Sequence, residues 1–336
     1  MSLIDAHKAA PQAPMEGPAT PDGMTPLRIA HVRDVAEGIR SFELVHPDGA
    51  QLPVFTPGSH IKIRVPNGAI RKYSLCNDPA ERGRYVIAVK RDERGQGGSI
   101  SLVDDARVGD TLLASVPENA FPFVETAPSY IFIAGGIGIT PILSMIASMG
   151  ELPAAPWKLY YFTRSPETTA FLEELNAPEL RGRVHVHHDH GDPAASFDLW
   201  PVLERSSGAH VYCCGPQGLM DAVRDMSGHW PHSNIHFESF ADGSRPRPDD
   251  TPFVVQLAKS GRSLEVPVGK SILDVLRESG CNVASSCESG TCGSCRTGLL
   301  AGEADHRDMV LMPEEMESQI MVCVSRARSA ELVLDL

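Results

Sequence analysis

The sequence predicts a multidomain chain: an antiparallel β-barrel, then an α/β domain on a parallel sheet, then a small α+β domain of the β-grasp type. Three observations carry this expectation. Short strand-like runs with turn signals between them fill Leu27 to Val124, strands and helical stretches alternate from Ser129 to Phe240, and the last segment reads hairpin, helix, cysteine loop. At 336 residues and 42% hydrophobic, the chain is globular in composition and too long for one ordinary core.

Each part follows from its residues. Residues 1–25 are rich in Pro, Ala and Gly without periodicity and read as a disordered extension. The barrel, residues 26–126, rests on IRSFELV, HIKIRV, YVIAVK and TLLASV. The α/β domain, residues 127–241, is built from YIFIAGG, a helix from Pro141 to Met149, WKLYYF, a helix over TTAFLEEL, VHVHH, HVYCCG, LMDAVRDM and NIHFESF. Residues 242–250 are polar and Pro-rich and read as a linker. In residues 251–336, FVVQLAKS and SLEVPV form a hairpin around Ser260-Gly261, and Ser271 with Asp274 opens a helix that Gly280 ends.

Charge excludes some functions. With a net charge of −13, the chain lacks the clustered cations that bind a phosphate backbone, so no nucleic-acid partner is expected. No apolar run approaches the ~20 residues of a membrane helix, and no basic start leads into an apolar block. A cytoplasmic protein with no membrane association is the expectation.

Chemistry concentrates near the C-terminus. Cys287, Cys292 and Cys295 have the spacing C-x4-C-x2-C, and Cys323 follows inside the apolar run IMVCV, the pattern of a plant-type [2Fe-2S] ligand set. Each iron takes two thiolates, and Gly290 and Gly293 let the backbone approach the sulfides. Zinc or disulfides are the alternatives, although structural zinc sites favour paired C-x2-C units. Cys76, Cys213 and Cys281 lack such spacing and read as small buried residues.

Two loops suggest a nucleotide. AGGIGITP, residues 134–141, follows a strand and opens a helix, so Gly136, Gly138 and Thr140 could lie against a pyrophosphate; a tight strand–helix turn is the alternative. Cys214, Gly215 and Pro216 end a later strand, and both loops would face one crevice. In the barrel, Arg71, Tyr73 and Ser74 place a cation, a ring and a hydroxyl together, a set that could hold a phosphate and cover an aromatic system or simply be an amphipathic strand. Gly98 and Ser99 open a helix and offer a second anion site, and the two sites could serve one phosphate.

RKYSL, GGSIS, GGIGITP, CGP, a closing ESF and the four cysteines stand in the order of the phthalate dioxygenase reductase family, and the chain resembles that family, which includes vanillate demethylase-like reductases, over residues 27–336. The resemblance implies an FMN-binding barrel, an NAD-binding domain and a ferredoxin domain that together pass electrons from NAD(P)H to a separate Rieske-type oxygenase. It implies flavin contacts at Arg71, Tyr73, Ser74, Gly98 and Ser99, an aromatic neighbour of the flavin at Phe240, and cluster ligands at Cys287, Cys292, Cys295 and Cys323. Two positions depart from the pattern. Gln96 stands where a basic residue is expected, and Ser165 where an acidic residue would hold the ribose of NADH, with Arg164 beside it leaving NADPH as an alternative.

The run VHVHHDHGD could suggest a metal site, but strand alternation sends Val184 and Val186 to one face and His185 and His187 to the other. The acidic PEEMES, residues 313–318, reads as a solvated turn. The rivals are the same architecture serving a haem monooxygenase, and a non-catalytic redox sensor.

Overall fold

The structure is a computed structural model that describes residues 23–150, 155–240 and 246–336; most of the expected extension and the first part of the expected linker lie outside the described residues. The first domain is an antiparallel barrel. Its strands run in the order Ile70–Ser74, Ser59–Arg64, Thr111–Ala114, Thr25–Ala36, Ile39–Val45, Tyr85–Lys90, and a bridge from Leu75 to Ile87 joins the two ends. Closure leaves no open edge, and Phe42, Leu44, Ile61, Ile63 and Ile87 fill the interior.

The second domain is a parallel sheet in the order Val184–His188, Trp157–Thr163, Tyr130–Gly135, His210–Cys214, Ile235–Glu238. Its first and fourth strands are therefore neighbours, and the order reverses between them. Both faces are covered, which explains the near-continuous apolar runs: Phe132, Ala134 and Tyr212 face one core, whereas Ile133, Val211 and Cys213 face the other. Helices Ile139–Ser148 and Gln217–Met226 follow the two central strands. The first begins earlier than Pro141, directly after a 3-10 turn at Gly136–Gly138, because a proline in the first turn sacrifices no helical hydrogen bond. The helix expected over TTAFLEEL shrinks to Leu172–Leu175, since Phe171 takes a left-handed φ of 61° and ends the preceding turn.

The third domain is a five-stranded sheet in the order Arg262–Val266, Phe253–Leu257, Glu331–Leu334, Arg296–Ala301, Gln319–Met321. Its first and last chain segments pair in parallel at the centre, and the other pairs are antiparallel. Helix Ile272–Glu278 packs Leu273 and Leu276 into the core, with the reciprocal Ser271–Asp274 capping box at its start and Gly280 at φ 80° beyond its end. Asp250, the last residue of the expected linker, contacts this domain, because its buried carboxylate is held by Arg307 and Arg326. Among the described residues no helix is long and apolar enough to cross a membrane.

Candidate functional site

Where the parallel sheet reverses, the two glycine-bearing loops abut. A Cβ on Gly138 would lie 2.2 Å from the carbonyl oxygen of Cys214, and one on Gly135 would lie 2.5 Å from Pro216, so this approach requires glycine. Gly135, Gly138, Cys214, Gly215 and Pro216 thus abut at the carboxyl ends of the strands, the region where ligands of such sheets gather. Thr140 departs from the expected role: its buried hydroxyl donates to Ile137 O at 3.0 Å and secures the turn instead of facing the crevice.

Strand alternation divides the barrel residues. Arg71 and Tyr73 lie on one face of Ile70–Ser74, and Lys72 and Ser74 on the other. The Arg71 guanidinium reaches the start of helix Gly98–Asp105, where Gly97 is left-handed and no side chain caps the amides. Gln96, standing where a cation was expected, accepts from Arg71 Nη2 at 2.9 Å and so aims that guanidinium. Ser99 is less available than expected, since its hydroxyl accepts from Asp92 N at 3.1 Å. Arg71 and the helix start, the two positions expected to attract an anion, are therefore neighbours.

On the other face, Ser74 Oγ donates to Glu238 Oε2 at 3.4 Å. Glu238 pairs in register with Cys214 on the neighbouring strand, so Ser74, Cys214 and Glu238 meet beneath the crevice. Burial pushes the Glu238 carboxyl up to about 8 and raises the Cys214 thiol. Phe240, half-exposed two residues later, stands at the same edge. Glu238 escapes sequence reasoning because an acidic residue ending a strand looks solvated; only the fold buries it. Tyr73 Oη and His60 Nε2 are buried with no hydrogen-bond partner among the described residues. An orphaned hydroxyl beside the Arg71 anion site suits a polar, ring-shaped ligand such as a flavin.

The cysteine loop leads into strand Arg296–Ala301, and Cys323 lies in the turn just after Gln319–Met321. Its geometry needs left-handed residues at Gly290 and Gly293, with φ of 75° and 81°. The thiols form two pairs, Cys287 with Cys292 and Cys295 with Cys323. Among the described residues no three His, Cys, Asp or Glu side chains converge on a single metal position. Two thiol pairs match two irons that take two thiolates each. The amides of Ser289 and Thr291 each donate to Cys287 Sγ at 3.4 Å. Together with the Cys292 thiol, which acts most strongly, they hold the Cys287 thiol below its ordinary range.

The histidine run follows alternation. His185 and His187 both pack on Phe197, Val184 and Val186 face the opposite core, and His188 Nδ1 lies 2.9 Å from Thr163 Oγ1.

Three family profiles match in the order of the domains: an oxidoreductase FAD-binding domain over residues 26–123, an oxidoreductase NAD-binding domain over 132–225 and a 2Fe-2S iron-sulfur cluster binding domain over 255–328. Phthalate dioxygenase reductase from Burkholderia cepacia is 57% identical over 94% of this chain and 98% of its own. The chain belongs to the phthalate dioxygenase reductase family. A solved phthalate dioxygenase reductase, described as a modular structure for electron transfer from pyridine nucleotides to [2Fe-2S], superimposes with a TM-score of 0.70 at 56% identity, covering 94% of this chain and 98% of that one. An intact type IV self-sufficient cytochrome P450 monooxygenase matches 97% of this chain with 43% of its own length, at 32% identity and a TM-score of 0.68. As a phthalate dioxygenase reductase family member, the chain is an NAD(P)H-dependent flavin and iron–sulfur oxidoreductase, the electron-supplying component of an oxygenase system.

Proposed function

We propose that this chain uses NADH and FMN, and that it delivers single electrons from a [2Fe-2S] cluster held by Cys287, Cys292, Cys295 and Cys323 to a Rieske-type oxygenase. The observation that carries the reading is the convergence of all three sites around Ile70–Ser74: Arg71 reaches the anion site, Ser74 meets Glu238 of the nucleotide domain, and Lys72 contacts the cysteine loop. When bound, the flavin and cluster convert a two-electron hydride donor into a source of single electrons.

The residues supply position and electrostatics. Arg71 and the uncapped amides of Gly98 and Ser99 form one site that matches the terminal, doubly charged phosphate of FMN. Tyr73 and Phe240 supply aromatic faces, and Ser74 with Glu238 supplies a hydroxyl and a protonated carboxyl at the barrel–nucleotide boundary. Gly136, Gly138 and the Cys214-Gly215-Pro216 turn receive the pyrophosphate end of the dinucleotide. NADH is favoured over NADPH by Glu167, which hydrogen-bonds Ser165 and is thereby held below the ordinary carboxylate range. Its negative charge stands near the position where an acidic residue would hold the ribose, and it repels a 2′-phosphate.

Cys295 and Cys323 are buried, whereas Cys292 borders a groove of about 410 Å³ shared with Phe121, Phe237 and Met309, which makes Cys292 the more accessible edge for the outgoing electron. A haem acceptor is the second reading, favoured by the match to the P450 fusion. Flavin released by denaturation should be FMN, kcat/KM should be higher with NADH than with NADPH, and Glu167→Gln should narrow that ratio. Reduction of a purified haem monooxygenase but not of a Rieske-type oxygenase would support the second reading.

A further inference from the structure

We infer that Lys72 is a positioning residue for electron passage from the flavin barrel to the cluster loop, an inference that rests on the functional reading above. Its ammonium donates to Ser286 O at 2.9 Å and to Cys287 O at 3.2 Å, joining the centre of Ile70–Ser74 to the first cluster cysteine. The strand thereby touches both ends of the passage. Arg71 and Tyr73 flank Lys72 and face the anion site and the barrel core, while Lys72 itself points to the loop.

The local charges explain why the ammonium stays on the loop. Across the sheet Lys72 pairs in register with Lys62, a like-charge neighbour, but Lys62 is engaged by Glu118 at 2.7 Å. Glu288, next in the loop, is taken up by Arg277, whose Nη2 lies 2.7 Å from Glu288 Oε1, so it does not draw Lys72 away from the carbonyls. A lysine merely solvated on the barrel would lose side-chain freedom by adopting this pose with no return. Here two carbonyl acceptors fix it.

The redox step balances simply. With both groups bound, one hydride would bring two electrons and one proton; the electrons would leave the flavin in two single passages, each reducing the cluster by one before the separate oxygenase takes it, and the proton would pass to solvent. Because every passage adds a negative charge at the cluster, a fixed cation on the Cys287 carbonyl also favours the reduced form.

The test compares the flavin- and cluster-loaded parent with Lys72→Met, which keeps the apolar stem, and Lys72→Arg, which keeps the charge. Flavin reduction by NADH and cluster reduction are followed separately by stopped-flow absorbance, and the cluster midpoint potential is measured by redox titration with electron paramagnetic resonance. In Lys72→Met, flavin reduction should stay within about twofold of the parent, cluster reduction should slow by about tenfold and the midpoint should fall, since small displacements of a reacting pair carry large rate penalties. Lys72→Arg should recover most of both changes. Parent-like cluster reduction and midpoint in Lys72→Met would overturn the inference alone. A parent whose flavin is reduced but whose cluster never is would overturn the functional reading and the inference with it.

Discussion

At the residue scale, the site depends on groups whose ordinary solution behaviour the fold suppresses. Cys287 is the clearest case, with a thiolate favoured by its Cys292 partner and by the Ser289 and Thr291 amides. Because each iron needs a pair of thiolates, Cys292→Ala should lower iron content and remove the cluster's visible absorption while flavin content stays near stoichiometric. Metal analysis and the visible spectrum check this; full iron content would remove Cys292 from the ligand set. Glu238 shows the opposite effect, as burial raises its pKa from 4.5 to about 8. The folded chain then holds a proton that the unfolded chain releases, so stability is lost progressively as pH rises from the ordinary carboxyl value through the raised one. Glu238→Gln should flatten that decline, as read from urea midpoints across the range. An unchanged slope would place the titration elsewhere.

At the element scale, close approach decides more than propensity. The 3-10 turn at Gly136–Gly138 packs so tightly on the Cys214–Gly215 backbone that Gly138→Ala has no flexible side chain to displace. Gly136 is different: its φ of 54° strains an L residue, but nothing lies within 4 Å of the added carbon. Overpacking of this kind costs about 1–3 kcal/mol or more, against roughly 1–2 kcal/mol for a left-handed residue. Gly138→Ala should therefore lower the urea midpoint further than Gly136→Ala and raise KM for the nucleotide; the reverse ranking would contradict the packing.

Elements were legible in the sequence where local signals were strong, as with the Ser271–Asp274 capping box, the hairpin around Gly261 and the alternation of the histidine strand. They were misread where one residue overrode the pattern. Phe171 in a left-handed conformation curtails an otherwise helical TTAFLEEL, and Thr140 turns its hydroxyl inward to the loop. Neither choice has a local sequence signature.

At the scale of the whole molecule, the domain order and a 2Fe-2S domain at the C-terminal end could be read from the sequence, but the contacts that join the domains could not. Ser74 and Glu238 are 164 positions apart and Lys72 and Cys287 are 215 apart. Only the folded barrel, sheet and β-grasp domain bring them to a common boundary. At that boundary one strand, Ile70–Ser74, contacts both the nucleotide domain and the cysteine loop.

The central claim is that reducing equivalents cross from nucleotide to flavin to cluster within this one chain. Anaerobic addition of NADH to the loaded protein, followed by absorbance and electron paramagnetic resonance, tests it most directly. Flavin bleaching followed by the signal of a reduced [2Fe-2S] cluster is the predicted result, whereas no bleaching with NADH or NADPH, or bleaching without any cluster signal, would contradict it.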